Sequence, residues 1–286
     1  MTLALEAFAK VNRRLVVLGK RPDGYHELDT IYQTIDLADR LTLEATEDDD
    51  LRLTTDDPAL PVDESNLIVK AARSLKDRFG ASRGASIHLS KKIPKGGGLG
   101  GGSADAAAAL HGLAALWELP ATPEALQPVA AAVGSDVAFF LHGGRARGTG
   151  RGEKIEPLPD APDEWIVLLF PAFGMATPDV YRTLDAPPLA PRGASGVFAR
   201  DRNDLEAAAE RLRPELRTLR EALLSAGAIA ARLSGSGSTV FGLFGNEAEA
   251  RLSASLLEGR KDARPVVART VSRAEFRRRA LPQSVR

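Results

Sequence analysis

Cysteine does not occur in this 286-residue chain. That excludes disulfides, thiolate-bound metal and a cysteine nucleophile. Histidine is scarce, with four scattered copies and no zinc-binding spacing. Neither sign of charge is in excess: 38 basic side chains face 38 acidic ones, so nothing chain-wide attracts nucleic acid. Long apolar runs are missing too, and none approaches the ~18–20 residues that span a bilayer. The segment Met1-Thr2-Leu3-Ala4-Leu5-Glu6 lacks the basic start and apolar core of a secretory signal. The expectation is a cytoplasmic protein, monomer or homodimer, with no nucleic-acid or membrane partner. The bulk composition is ordinary: 44% hydrophobic and 27% charged residues, in a length that suits one large or two medium domains.

The first part of the chain reads as strands. Residues 3–9, 12–18, 27–37 and 40–46 form short β-like runs, with a turn signal at Arg21-Pro22-Asp23-Gly24. Acidic stretches at 47–50 and 56–58 read as solvated loops. Leu67, Ala71, Leu75 and Phe79 recur at helical spacing, and Gly80 stops that helix. Residues 85–89 alternate as a strand, an alanine-rich helix covers 104–119, and a further helix covers 122–133 with Pro123 at its start. Glycine and proline then concentrate at 143–164, and a boundary near residue 155 divides the chain into domains 1–155 and 156–286. Beyond it, residues 165–170 read as a buried strand, 187–193 as an exposed proline-rich loop, and 203–225 as helix interrupted at Pro214. A second glycine loop, Ser234-Gly235-Ser236-Gly237-Ser238, leads into a strand, then a helix at 247–257 and a last strand at 265–271. Strands and helices at this short spacing indicate an α+β fold.

The most informative segment is Pro94-Lys95-Gly96-Gly97-Gly98-Leu99-Gly100-Gly101-Gly102-Ser103-Ala104-Asp105. A loop with almost no side chains lets backbone N–H groups turn inward and approach an anion closely. The helix that follows adds unpaired N–H groups and the positive end of its dipole. No glycine here is followed by Lys and then Ser or Thr, so this is not a Walker A loop. Pro94 ends any strand before it, which argues against a dinucleotide fingerprint. A flexible connection with Ser103 as an ordinary N-cap is the plain alternative. Two features favour the anion: the loop runs straight into a strong helix former, and Lys91, Lys92 and Lys95 flank it.

Three glycine-bearing segments, 94–104, 134–152 and 234–238, together with Ala9-Lys10-Val11-Asn12, resemble the GHMP small-molecule kinases, a family that includes galactokinase, homoserine kinase and mevalonate kinase. The family's phosphate loop has the form Pro-x-x-x-Gly-Leu-Gly, which Pro94 to Gly100 matches, and Ser234 to Gly237 matches its third motif. Asp23-Gly24-Tyr25-His26 and Gly134-Ser135-Asp136-Val137-Ala138-Phe139-Phe140 are similar to those members that act on a cytidine-diphosphate-linked methylerythritol in the non-mevalonate isoprenoid pathway. The resemblance runs from about residue 7 to about residue 245. It implies a two-domain α+β fold, with an N-terminal ribosomal-protein-S5-like ATP-binding domain and a C-terminal ferredoxin-like substrate domain. It also implies transfer of a phosphoryl group from ATP, with Mg2+ carried by the nucleotide, to the acceptor's 2-hydroxyl.

Site residues follow from the same match. Asp136 is the expected base, because the attacking hydroxyl must give up its proton. A turn or cap aspartate is its plain alternative. Lys10, inside an apolar strand where an unpaired charge is costly, is the expected partner that keeps Asp136 ionised and stabilises developing negative charge. A snorkelling edge lysine is the alternative there. The resemblance assigns Pro94, Lys95, Gly96, Gly97, Gly98, Leu99, Gly100, Gly101, Gly102, Ser103 and Ala104 to the ATP phosphates, and Asn66 and Lys91 to the adenine side. It assigns Asn12, Tyr25, His26, Thr177 and Tyr181 to the acceptor, with Tyr25 and Tyr181 sandwiching the cytosine. Ala104 stands where many relatives carry a second serine, so one hydroxyl is lost. No carboxylate pair reads as a magnesium site. Another GHMP kinase with a homoserine or mevalonate-type acceptor stays open, as does a nucleotide-binding protein of this fold without activity.

Overall fold

The computed structural model describes residues 2–120, 122–186 and 202–282; the proline-rich loop expected at 187–193 lies outside them. Its spine is a pair of long antiparallel strands, β1 (Thr2–Lys20) and β2 (His26–Thr46). The four short runs expected from the sequence are therefore two strands. The polar residues that seemed to break β1 sit at β-bulges, with register slips between Phe8 and Lys10, between Asn12 and Arg14, and between Val17 and Gly19. A bulge lets a strand continue while re-aiming its side chains. The turn joining the two strands closes where Arg21 N donates to the Tyr25 carbonyl (2.8 Å).

On its other edge β2 pairs with two strands. Its first half faces β5 (Arg145–Gly150), and its second half faces β4 (Gly84–Ser90). With β3 (Leu51–Thr55) parallel to β4 and β6 (Lys154–Pro157) on β5, the sheet runs β3-β4-β2-β5-β6 with β1 beside β2. Four helices cover it: α1 (Leu67–Phe79), α2 (Gly101–Leu116), α3 (Pro123–Val133) and the single turn α4 (Val137–Phe140). The α2 helix has no polar face. Ala106, Ala107, Ala109, Leu110, Leu113 and Ala114 are all inaccessible, and Asp105 and His111 are buried with them, as in a helix packed on nearly every side. It begins three residues before the expected Ala104 and ends three before Leu119.

The second half of the chain builds a four-stranded antiparallel sheet. Its order is β10 (Ala263–Arg269), β7 (Trp165–Pro171), β9 (Val240–Phe244), β8 (Ala230–Leu233). The helices α5 (Thr177–Asp185), α6 (Glu206–Leu212) and α7 (Glu215–Ser225) lie between β7 and β8, and α8 (Glu247–Leu257) lies between β9 and β10. This βαββαβ path is the ferredoxin-like arrangement. Alternation along β7 shows that both faces of the sheet are covered. Val167 and Leu169 pack with α6–α8, while Ile166, Leu168 and Phe170 pack with Ala9, Val11 and Ile35 of the first sheet. That second contact, continued by Ile93 and Leu99 beside the glycine loop, joins the two halves. The last helix, α9 (Arg273–Ala280), returns to β1, with Phe276 6.0 Å from Phe8 between ring centroids.

Candidate active site

The glycine loop is clamped rather than loose. The second glycine loop lies against it: Ser238 N and Thr239 N donate to the carbonyls of Gly96 and Gly97 (3.3 and 3.1 Å), and Ser234 Oγ donates to Gly98 O (3.0 Å). Only glycine fits at this crossing. A β-carbon on Gly98 would lie 2.1 Å from the Ser234 carbonyl, at a backbone φ of +74°. Gly100, also left-handed, is the N-cap of α2, and no side chain caps the helix. Ser103 is thus not the N-cap; it lies inside the first turn and lines the cleft. The first N–H groups of a sixteen-residue buried helix therefore open onto a glycine cradle, a ready anion site.

Facing this cradle is a cluster of four side chains from β1, β2 and the start of α4. Lys10, 3% exposed, donates from Nζ to Asn12 Oδ1 (2.5 Å) and to the carbonyl of Gly98 in the loop (2.9 Å). Its Nζ also lies 3.4 Å from Asp136 Oδ2. The other carboxylate oxygen, Oδ1, accepts from Tyr32 Oη (3.0 Å). The bulges on either side of Lys10 and Asn12 bring both side chains, two residues apart, to this one point. Asn12 is fixed in turn by donating to Thr30 Oγ1 (2.8 Å). Asp136 is therefore neither a cap nor a plain turn residue: it stands at the N-cap position of α4, but its carboxylate points into the cluster. Burial first, and the Asp136 charge second, push the Tyr32 phenol well above its ordinary pKa, so it stays a donor.

The reading of the sequence missed Tyr32. Its signal lies in the glycine-bearing segment 134–152. A β-carbon on Gly152 would sit 2.4 Å from Tyr32 Oη, and one on Gly148 would sit 2.6 Å from the ring. Those glycines leave room for the ring, a relation that no spacing along the chain exposes.

Below the cradle, Lys91 Nζ bridges Asp39 Oδ2 and Asp105 Oδ2, the latter at 2.9 Å. Burial opposes the lysine charge, but the two carboxylates outweigh it and raise its pKa. Burial pushes Asp105 up to about 8, Lys91 only partly offsetting it, and Asp105 Oδ1 has no hydrogen-bond partner. Lys91 and Asn66 both line the cleft. Their polar groups have structural work there: Asn66 Oδ1 caps α1 at Ile68 N (2.9 Å), and its amide donates to the Pro61 carbonyl (2.7 Å).

The far end of the cleft carries the residues expected on the acceptor side. The His26 and Tyr181 rings stack at 4.7 Å, 27° from parallel. His26 Nε2 pairs with Asp185 Oδ1 (2.8 Å), whose other oxygen accepts from Lys20 (2.8 Å). Thr177, at the start of α5, shares a hydrogen bond with Ser236 of the second glycine loop (2.8 Å). The two rings expected to sandwich the cytosine, Tyr25 and Tyr181, both line this end of the cleft. One face of Tyr181 lies against His26, and Tyr25, 55% exposed, stacks with the Arg151 guanidinium at 4.8 Å. All of these groups share one cleft of about 1010 Å³, which also takes in the cradle and Lys10.

A cleft between two such layers, with a glycine cradle at one end and a paired lysine and aspartate in the middle, defines a class of small-molecule phosphotransferase. Two family models match: GHMP kinases N terminal domain over residues 66–144, and GHMP kinases C terminal over residues 193–257. A curated relative from Bacillus pumilus, named 4-diphosphocytidyl-2-C-methyl-D-erythritol kinase, is 42% identical over 87% of this chain and 90% of its own. One of the same name from Listeria innocua is 42% identical over 85% of this chain and 88% of its own. A crystal structure of 4-(cytidine 5'-diphospho)-2C-methyl-D-erythritol kinase superposes with a TM-score of 0.79 at 36% identity, over 94% of this chain and 99% of that one. A homoserine kinase from Cytophaga hutchinsonii (TM-score 0.73, 21% identity, 94% of this chain and 95% of that one) shares the fold. The chain belongs to the 4-diphosphocytidyl-2-C-methyl-D-erythritol kinase family of the GHMP kinases.

Proposed function

We propose that the protein transfers the γ-phosphoryl group of ATP to the 2-hydroxyl of 4-diphosphocytidyl-2-C-methyl-D-erythritol, in the cytoplasm, as a step in making isoprenoid precursors. The observation that carries this reading is the Lys10–Asp136–Tyr32 cluster, set between the glycine cradle and the His26–Tyr181 stack in one cleft. The reaction asks for phosphates held at one end, an aromatic platform at the other, and a proton acceptor between them.

Phosphoryl transfer is largely positioning and charge stabilisation. The N–H groups of Gly101 to Ser103 and the α2 dipole hold the donor phosphates, and Lys95 adds a cation. Asp136 accepts the hydroxyl proton. Tyr32 fixes one carboxylate oxygen and Lys10 faces the other, so Asp136 is aimed before the acceptor arrives. Lys10 also touches the loop at Gly98, which puts its charge between carboxylate and transferred group. Magnesium enters with the nucleotide. The carboxylates of Asp39 and Asp105 are turned to Lys91, and among the described residues no group of three or more histidine or acidic side chains is placed to hold a metal ion. These side chains do not form a resident metal cage, and the ion would be held chiefly by phosphate oxygens and water.

The test is a turnover assay with purified protein, magnesium and ATP, following ADP release. Release is expected with the cytidyl acceptor and not with homoserine or mevalonate. Turnover of homoserine alone would refute the assignment.

A further inference from the structure

Six cationic side chains line the cleft, and four of them already have carboxylate partners. Lys10 faces Asp136, Lys20 faces Asp185, Lys91 faces Asp39 and Asp105, and Arg182 faces Asp179. Lys95 and Arg151 form no ion pair within 4.0 Å among the described residues. Lys95 lies in the glycine loop, beside the donor phosphates. Arg151 lies at the other end and is not accounted for by the steps above.

Its position is specific. Arg151 sits at the tip of the hairpin between β5 and β6, between two left-handed glycines, Gly150 (φ +73°) and Gly152 (φ +105°). Its backbone N–H is fixed by Glu153 Oε2 (2.6 Å), and its guanidinium lies over the Tyr25 ring. The neighbouring Gly152 is so close to the catalytic cluster that a β-carbon there would lie 4.0 Å from Asp136 Oδ1. Arg151 therefore spans from the aromatic end of the cleft toward the reacting centre. Asp23, whose pKa is lowered chiefly by its hydrogen bond to Arg21, feels Arg151 only as its smallest influence.

The geometry points to Arg151 as the residue that binds the diphosphate of the acceptor. This rests on the proposed acceptor, whose base and reacting hydroxyl are separated by a ribose and two phosphates. With the base at the Tyr25 and His26 end and the hydroxyl at Asp136, those phosphates pass the one stretch that Arg151 flanks. A planar guanidinium donates two parallel hydrogen bonds to phosphate oxygens, and its contact with Tyr25 holds it ready at the cleft edge. Arg151 also selects the acceptor: a small alcohol without a diphosphate gains nothing from it.

The test compares wild type with R151Q and R151K, first by titrating cytidine and CDP as separate probes, then by kinetics. For R151Q, CDP affinity is expected to fall about 10- to 100-fold, the worth of a hydrogen bond to a charged group, with cytidine affinity unchanged. The KM for the cytidyl acceptor should rise by a similar factor while the KM for ATP stays put, which also shows that the fold and donor site are intact. R151K should recover part of the CDP affinity through its charge. Equal losses for cytidine and CDP would overturn the inference, because Arg151 would then act only through the Tyr25 ring. Unchanged CDP affinity in R151Q would overturn it outright. A wild type that does not turn over the cytidyl acceptor would instead refute the proposed function, so the two failures are told apart.

Discussion

Asp136 keeps its two oxygens in different company: a phenol donates to one and an ammonium stands off the other. With Asp136 proposed as the proton acceptor and Tyr32 as the residue that aims it, the two should fail differently. Asp136→Ala should lower kcat by at least ~100-fold, as loss of a general base does, with the ATP KM little changed. Turnover near normal would remove Asp136 from that role. Tyr32→Phe keeps the ring and removes one hydrogen bond to a charged group, so kcat should drop by roughly tenfold. An unchanged kcat in Tyr32→Phe would mean that Lys10 alone fixes the carboxylate. At this scale the sequence was legible where a residue sits in a local pattern: Lys10 and Asn12 in a short motif, Asp136 beside Gly134. Tyr32 was not, because its role depends on glycines more than a hundred residues away that make room for its ring.

The α2 helix and the loops at its head form the proposed donor end. Gly98→Ala would push a methyl group against the Ser234 carbonyl at a φ that side chains rarely adopt, so the two glycine loops should separate. The expected result is a KM for ATP raised at least tenfold with the CDP affinity little changed; an unaltered ATP KM would show that the crossing of the loops does not shape the cradle. Asp105, in the second turn of α2, gives a pH prediction. Its folded pKa of about 8 lies above its ordinary 3.8, so the folded state holds its proton more tightly than the unfolded chain does. The stability this group contributes is full below about pH 4 and is lost as the pH rises toward 8. Asp105→Asn should remove that loss. Its melting temperature relative to wild type should therefore climb between pH 5 and pH 8, whereas a constant difference would mean that Lys91 keeps Asp105 ionised throughout. Helices were readable from spacing and stop signals where these were sought, as with Leu67 to Phe79 and Gly80 in α1. The unanticipated α9 carried a capping signal too, Ser272 accepting from Glu275 N (3.2 Å) ahead of Phe276, and α5 carried Pro178 in its first turn. The start of α2 was misread for a physical reason: Gly100 does the capping without a side chain.

For the whole molecule, the α+β class followed from the alternation of strands and helices, and the two-domain plan from the family resemblance. The long bulged pair of β1 and β2 did not, since polar residues aimed into a cleft look, along a sequence, like the ends of strands. The contact between the sheets was equally hidden. Val11, Ile35, Leu168 and Phe241 meet there from four separate strands, and that meeting fixes the cleft between cradle and aromatic end. The proposed function requires this cleft to deliver phosphate to one particular hydroxyl. The direct measurement is a phosphorus NMR spectrum of the product made from ATP and the cytidyl acceptor. The expected spectrum shows an intact diphosphate plus one new monoester signal without coupling to a carbinol proton, because the 2-carbon carries a methyl group and no hydrogen. A new signal split by a neighbouring carbinol proton, or no new monoester at all, would contradict it.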